Sequence, residues 1–117
     1  MSKNIKIKLK EIGTAKDVYL VAEIGINHEG NKDICIKMIE EAANSGAHAV
    51  KLQTIDPDEN YSQDTVSYKL FKKAWLSPEE TSQIFEVARS LGLEPFTTVG
   101  DFRTLAWVKN LNPRIFK

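Results

Sequence analysis

Two charged side chains interrupt otherwise apolar stretches of the sequence and are the first candidates for chemistry. Glu23 follows the apolar run 18–22, and Lys51 follows the short, mainly apolar run 47–50. An isolated charge is costly to bury, so residues of this kind are usually paired or face a polar cavity. If the two runs form neighbouring strands, Glu23 and Lys51 can meet. The pair is then either a functional group or a structural ion pair, and the pattern leaves both open.

Other polar residues stand at the ends of the predicted strands or just beyond them, near residues 25, 53, 98 and 117 of the chain. In parallel α/β folds, functional side chains collect at the carboxyl ends of strands and in the loops that follow them. This rule adds the candidates Asn27, His28, Gln53, Thr97, Thr98, Asp101 and Lys117.

The histidines and the cysteine carry weaker signals. His28 alone fits a metal ligand, an acid/base group or a loop histidine, and two histidines 20 residues apart lack the spacing of a metal site. His48 begins a strand and is predicted to be structural or solvated. Cys35 lies on an apolar helical stripe, which is typical of a core residue and not of a nucleophile. The glycines of residues 25–30 do not have the spacing of a nucleotide-binding motif.

The elements that must position these residues alternate between strands and helices. Ile5–Lys10 alternates apolar and charged residues, which predicts a half-buried strand, and the continuous apolar run 18–22 predicts a strand buried on both faces. We expect these two strands to pair as a hairpin spanning residues 1–24. Two further strands are predicted over 47–53 and 93–98, and Arg114–Lys117 reads as the opening of a fourth strand of the main sheet.

Helix boundaries are marked by capping residues. Asn31 is a predicted N-cap, and Gly46 ends the helix that follows it. Ser77, Pro78 and Glu80 have the pattern of a capping box with proline in the first turn. Asp101 is predicted to cap a third helix, and the long segment 54–76 is predicted to contain a short helix over 68–75.

A leading hairpin followed by β-α-β-α-β-α-β predicts an α/β fold with a parallel sheet. Each unit of a (β/α)8 barrel takes roughly 30 residues, so 117 residues hold about three units and the start of a fourth strand. We therefore expect residues 1–117 to form one partial barrel domain, the N-terminal portion of a longer barrel, and the chain to be a fragment.

Composition excludes several classes of protein. The chain has 16 basic and 16 acidic residues, so a general preference for nucleic acid or for a membrane surface is not expected. No apolar run reaches the ~20 residues of a membrane span. A single cysteine and the absence of an apolar leader favour a reducing, cytoplasmic location.

Three ordered motifs together resemble the sialic acid synthase family, which makes N-acetylneuraminic, legionaminic and pseudaminic acids. They are A-E-I-G-I-N-H-E-G at 22–30, G-A-H-A-V-K-L-Q-T at 46–54 and F-T-T-V-G-D at 96–101. The resemblance runs from about residue 18 to residue 117. It implies an enzyme that condenses phosphoenolpyruvate with an N-acetylated amino sugar, releasing phosphate.

The resemblance also implies roles for individual residues. Glu23 would orient a sugar hydroxyl or the attacking water, and Lys51 would bind the carboxylate or phosphate of phosphoenolpyruvate. Gln53 would bind sugar hydroxyls. The remaining substrate-binding residues implied by motif position are Asn27, Thr97, Thr98, Asp101 and, at the phosphate, Lys117. A divalent ion, Mn²⁺ or Mg²⁺, is implied too, with ligands expected outside this chain, and so is a homodimer of the full-length protein.

The sequence departs from the family pattern at Val99 and Gly100, where relatives more often have Pro and Phe, which puts the local turn and the sugar preference in question. Two alternatives stay open. One is a non-catalytic α/β module that oligomerises or binds a sugar phosphate without reacting. The other is a different phosphoenolpyruvate-condensing or aldol-type barrel.

Overall fold

The computed structural model describes residues 3–117. It contains five strands and five helices, with a hairpin at the start and three successive helices between the last two strands. In chain order they are β1 (Ile5–Ile7), β2 (Lys10–Ile12), β3 (Val21–Gly25), α1 (Lys32–Asn44), β4 (Ala49–Thr54), α2 (Pro57–Asn60), α3 (Val66–Lys73), α4 (Pro78–Ser90), β5 (Glu94–Val99) and α5 (Phe102–Lys109).

Strands β3, β4 and β5 form a parallel sheet in that order, with β4 in the middle. This confirms the parallel α/β sheet predicted from the alternation of strands and helices. Residues that pair across parallel strands point to the same face, so the register decides which side chains meet. Glu23 pairs with Lys51, and Gln53 pairs with Thr98.

The hairpin is smaller than predicted. Its strands are β1 and β2, with Ile5 opposite Ile12, and they form a sheet separate from β3–β5. The predicted pairing of the first strand with the run 18–22 is therefore wrong. The chain reverses already at residues 8–9, where Lys8 adopts a positive φ of 52° that suits a tight turn. Residues 1 and 2 of the predicted hairpin lie outside the described residues.

Strand β3 is less buried than its apolar composition predicts. Val18 and Leu20 precede it with 74% and 49% of their surfaces exposed, and Val21 is 44% exposed. The cause is the position of β3 at an edge of the sheet, since among the described residues it pairs with β4 alone. Burial on both faces begins only at Ile24, which is 3% exposed.

The main core lies between the sheet and helices α1 and α4. Val50 and Leu52 of β4 contribute one wall, and the facing helices contribute fully buried side chains that include Cys35, Ile39 and Phe85. The prediction that Cys35 is a core residue is confirmed. Burial raises the pKa of its thiol to about 12, so it remains protonated at neutral pH.

The predicted helix caps are confirmed at all three positions. The Asn31 side chain accepts a hydrogen bond from the Ile34 amide. Ser77 and Glu80 form a reciprocal capping box at the start of α4. Asp101 accepts the Thr104 amide at the start of α5. The helix predicted near 68–75 begins earlier, at Val66, because Thr65 supplies its N-cap.

The last four residues do not form the predicted fourth strand of the sheet. Residues 114–117 carry no strand, and among the described residues β5 pairs only with β4. A strand needs a hydrogen-bonded neighbour, and none is present on that side of β5. Arg114 nevertheless approaches the sheet, with its Nε 3.7 Å from a carboxylate oxygen of Glu94.

Glu94 connects three parts of the chain at the amino-terminal end of the sheet. It is 3% exposed, and its carboxylate lies 3.7 Å from both Lys8 Nζ in the hairpin and Arg114 Nε. No hydrogen bond from the described residues reaches either of its carboxylate oxygens. The positive charges of Lys8 and Arg114 therefore compensate the buried Glu94 carboxylate without donating a hydrogen bond to it.

No helix within residues 3–117 is both long enough and apolar enough to cross a membrane.

We predict that Ser77→Ala lowers the free energy of unfolding of the 117-residue chain by about 1 kcal/mol, because it removes the cap of α4. Ser77 accepts the Glu80 amide through its hydroxyl at 3.1 Å. Urea denaturation followed by circular dichroism measures the effect. Ser82→Ala, inside the same helix, is the matched control and should leave stability unchanged or slightly raised. Equal losses in both variants would contradict the prediction.

Candidate functional site

The Lys51 ammonium is the centre of a polar cluster at the carboxyl-terminal edge of the sheet. Its Nζ lies 2.9 Å from Glu23 Oε2 on β3 and donates to Thr98 Oγ1 on β5 at 3.1 Å. The Lys51 side chain is 13% exposed and that of Glu23 is 51% exposed. The contact predicted between Glu23 and Lys51 is confirmed. We call Glu23, Lys51, Gln53 and Thr98 the Lys51 site.

Gln53 and Asn27 border this site around Gly25. A Cβ built on Gly25 would lie 3.3 Å from both Gln53 Oε1 and Glu23 Oε1, and 3.9 Å from Asn27 Nδ2. The Gln53 amide oxygen, a Glu23 carboxylate oxygen and the Asn27 amide nitrogen thus surround the side-chain position that Gly25 leaves empty. Asn27 Nδ2 also donates to the Ile24 carbonyl at 2.9 Å, which fixes its orientation. Gly25 has φ of 58°, so it combines a left-handed backbone with close approach.

Thr97 points away from the Lys51 site. It pairs with Leu52, a core residue, and therefore faces the helices. Its hydroxyl lies 2.6 Å from Thr54 Oγ1, and both side chains are buried. The structure separates Thr97 from Thr98, because successive residues of a strand point to opposite faces.

Asp101 is occupied by structural hydrogen bonds. Its Oδ2 accepts the Thr104 amide at 2.8 Å and its Oδ1 accepts Asn60 Nδ2 at 3.3 Å. Burial on its own would raise the pKa of this carboxyl, but the hydrogen bonds from Thr104 and Asn60 outweigh it and hold the pKa below its usual range. A stabilised anion at this position serves helix α5, whose first amides it caps.

Lys117 is not brought to the site. It is exposed, it lies beyond the last helix, and it belongs to no strand. Its role at a phosphate therefore remains a prediction.

The two histidines are structural in this chain. His48 Nδ1 accepts the Leu20 amide at 2.8 Å, and its ring stacks on Tyr19, as the prediction of a structural residue requires. His28 is 1% exposed, and its Nδ1 accepts the Gly30 amide at 3.0 Å. Of its three possible roles, the geometry matches a loop histidine. Residues 3–117 contain no group of three or more His, Cys, Asp or Glu side chains placed to hold a metal ion.

Sequence reasoning missed Asn60. Its Nδ2 donates both to Asp101 and to the Asp56 carbonyl, and so ties α2 to the start of α5. A Cβ on Gly100 would come within 2.4 Å of Asn60 Oδ1, so these two loops are in tight contact. The only sequence signal was turn composition around residue 58, which does not indicate a partner 41 residues away.

The Lys51 site combines three kinds of polar group within reach of one another. It has a partly buried cation, a half-exposed carboxylate, and amide and hydroxyl groups that can donate and accept. Among the described residues, Lys51 directs two of its three N–H groups to Glu23 and Thr98, which leaves one for a ligand. Such an arrangement can bind an anion and can hydrogen-bond a polyhydroxylated molecule beside it.

We predict that Gly25→Ala disturbs the Lys51 site as well as the backbone. A left-handed conformation costs an alanine about 1–2 kcal/mol, and the added Cβ would also press on Gln53 and Glu23. Gly46→Ala is the matched control, since Gly46 has φ of 90° and no atom within 4 Å of an added Cβ. Both variants should lose stability in urea. Only Gly25→Ala should shift the NMR signals of the Gln53 side-chain amide, and unchanged Gln53 signals would contradict the prediction.

Comparisons with known proteins find relatives over nearly the whole of this chain. An uncharacterized protein of Methanocaldococcus jannaschii is 32% identical over 97% of this chain and 34% of its own length. The N,N'-diacetyllegionaminic acid synthase of Legionella pneumophila is 29% identical over 100% of this chain and 37% of its own length. The chain thus spans about a third of the length of these relatives.

A solved structure shows the same fold. The crystal structure of an N-acetylneuraminic acid (sialic acid) synthetase from Leptospira borgpetersenii matches 99% of this chain and 41% of its own, with a TM-score of 0.92 and 28% identity. The α/β class and the partial barrel are thereby confirmed. The NeuB family model matches residues 38–117, which include Lys51, Gln53 and Thr98. The resemblance noted in the three motifs is confirmed, and the chain belongs to the NeuB family.

Proposed function

We propose that the protein to which these 117 residues belong condenses phosphoenolpyruvate with an N-acetylated amino sugar to form a nonulosonic acid and phosphate. The observation that carries the proposal is the contact of Lys51 with Glu23 and Thr98 at the carboxyl edge of the sheet in a NeuB-family chain. Relatives that bear the names of legionaminic and pseudaminic acid synthases support this substrate class.

Lys51 provides the anion-binding group that phosphoenolpyruvate requires. This substrate carries a carboxylate and a phosphate, and the ammonium has one N–H left for either. Because the Lys51 side chain is only 13% exposed, its charge acts with less screening by water than a surface lysine would. Glu23 and Thr98 hold the ammonium in place, so little reorganisation is needed when the anion arrives.

Glu23, Gln53 and Asn27 provide the groups for the sugar and for water. Gln53 and Asn27 can both donate to and accept from hydroxyls, which suits a polyhydroxylated chain. The Glu23 carboxylate accepts hydrogen bonds only, and its side chain is half exposed, so it can orient a sugar hydroxyl or a water molecule.

The proposed reaction proceeds in three steps beside these residues. The methylene carbon of phosphoenolpyruvate forms a bond to the aldehyde carbon of the open-chain sugar, and the aldehyde oxygen takes up a proton. Water then adds to the cationic carbon and loses a proton. The bond from that carbon to the phosphate oxygen then breaks with its electron pair going to the phosphate, while the added hydroxyl oxygen forms the keto C=O and gives its proton to the departing phosphate. Lys51 stabilises the negative charge of the carboxylate or phosphate of phosphoenolpyruvate throughout.

The divalent ion implied by the family resemblance is assigned to no residue of this chain. Within residues 3–117 the acidic residues and histidines do not form a set of ligands, so no step above depends on such an ion. We further propose that the whole protein acts in the cytoplasm as a homodimer, and the single, fully buried Cys35 fits a reducing location.

We predict that the 117-residue chain binds phosphoenolpyruvate and that Lys51→Met weakens this binding roughly tenfold or more, as expected for loss of one charge-assisted hydrogen bond. NMR titration of the backbone amides with phosphoenolpyruvate measures the affinity and the location together. Lys109→Met is the matched control, because Lys109 is an exposed lysine in the last turn of α5. Equal binding by the Lys51→Met variant would overturn the proposed anion site.

A phosphate-release assay then distinguishes the enzyme from a binding module. The mixture holds phosphoenolpyruvate, N-acetylmannosamine and Mn²⁺. We expect the whole protein to release phosphate only when the sugar is present, and the 117-residue chain to bind without release. A whole protein that binds phosphoenolpyruvate but never releases phosphate, with any N-acetylated amino sugar, would support the non-catalytic alternative.

A further inference from the structure

We propose that Asn60 is a positioning residue for the Lys51 site. Its side-chain amide joins the loop that follows β4 to the loop that follows β5, and so holds together the ends of the two strands that carry Gln53 and Thr98. The effect on an anionic ligand rests on the proposed function, whereas the positioning itself concerns only contacts within this chain.

One side-chain nitrogen makes the connection. Asn60 Nδ2 carries two hydrogens, and it donates to the backbone carbonyl of Asp56 at 2.8 Å and to Asp101 Oδ1 at 3.3 Å. The first bond closes the short helix α2 on itself, and the second reaches the N-cap of α5. Asp101 Oδ2 accepts the Thr104 amide at 2.8 Å, which holds the carboxylate that Asn60 reaches. We call the two bonds of Asn60 the Asn60 clasp.

The Asn60 clasp lies just beyond the part of the sheet that carries the site. The ladder between β4 and β5 pairs Gln53 with Thr98 and ends one residue later on each strand. Asp56 follows Gln53 by three residues, and Asp101 follows Thr98 by three residues. The clasp therefore closes a ring through both strand ends. In parallel α/β folds this is the end of the sheet at which ligands bind.

The carboxyl-terminal end of β5 has few other restraints. Among residues 3–117, β5 pairs with β4 alone, so its other edge has no partner strand in this part of the chain. The ends of strands are where a ladder opens at least cost. Thr98 belongs to the last ladder pair but one, and it accepts the 3.1 Å hydrogen bond from Lys51 Nζ. Opening of the strand ends would therefore reach the site at once.

A second contact joins the same two elements but is weaker. Arg103 donates to Glu59 Oε1 at 3.3 Å, and its side chain is 81% exposed. Ion pairs at such positions contribute little, because water and salt screen them. Asn60 and Asp101 are both partly buried, and a hydrogen bond to an ionised carboxylate is stronger than one between neutral groups. We therefore expect the Asn60 clasp to carry most of this connection.

Asn60→Ala removes the clasp and leaves the cap of α5 in place, so it is the variant to test. In NMR spectra of the 117-residue chain, we expect the Thr98 methyl and Gln53 side-chain amide signals to shift or broaden. The methyl signals of the core residues Val50 and Leu52 should stay unchanged. Affinity for phosphoenolpyruvate should fall roughly threefold to tenfold, the factor that corresponds to one hydrogen bond.

Glu59→Gln is the matched control. Glu59 precedes Asn60 in α2, and its substitution weakens only the exposed contact with Arg103. We expect the signals of Thr98 and Gln53 to remain in place in this variant. Affinity for phosphoenolpyruvate should stay within about twofold of that of the unmodified chain.

Titration of Asp101 tests whether the bond from Asn60 exists in solution. Burial acts to raise the pKa of this carboxyl, and hydrogen bonds from Thr104 and Asn60 keep it below its usual range. We expect Asn60→Ala to raise the pKa of Asp101, as measured by NMR of its carboxyl carbon. The Thr104 amide signal should keep its position at neutral pH, because the cap of α5 is retained.

Four results would overturn the proposal. The first is unchanged Thr98 and Gln53 signals in Asn60→Ala, and the second is an equal change in Glu59→Gln. The third is a change that extends to Val50, which would mark a merely structural residue. The fourth is unaltered affinity in Asn60→Ala when the unmodified chain binds phosphoenolpyruvate. If Lys51→Met binds as well as the unmodified chain, the proposed function fails, and the NMR signals still decide the positioning.

Discussion

The pairing of β4 on both of its edges is the constraint on which the rest of this structure depends. A shift of β4 by one residue against its two neighbours would turn each of its side chains to the opposite face of the sheet. Lys51 would then point into the core beside the helices. Val50 and Leu52 pack against the helices, so the opposite face is left to Lys51 and Gln53. The apolar core therefore fixes the direction of the polar groups at the other face of the same strand.

The helix caps contribute to the site without entering it. Asp101 has both carboxylate oxygens bonded, one to the Thr104 amide and one to Asn60. In the motif it follows Thr98 by three residues, so a member of the Lys51 site and a helix-capping residue stand close together in the sequence. The division is physical: Thr98 is at the end of a strand and reaches a neighbouring strand, whereas Asp101 satisfies the open amides of its own helix.

Most of the elements could be predicted from the sequence because their signals are local. The capping box of Ser77 and Glu80 is one example, and the alternation of strands and helices is another. The predictions that failed concern properties set by contacts between residues far apart in the sequence. Exposure of Val18 depends on which strands flank β3, and the orientation of Thr97 depends on register with Leu52. The contact of Glu23 with Lys51 was predictable, because both charges break apolar strands at the same end of the sheet.

The packing of Gly30 against main-chain oxygens has a consequence for how this segment can diverge. The turn meets the carbonyl groups of Lys73 and Trp75, and these atoms are identical whatever side chains those positions carry. That contact therefore constrains the path of the main chain and the glycine itself, and makes no demand on the side chains of Lys73 and Trp75. The residue types of this segment are constrained elsewhere, by the burial of Ala74 and Leu76.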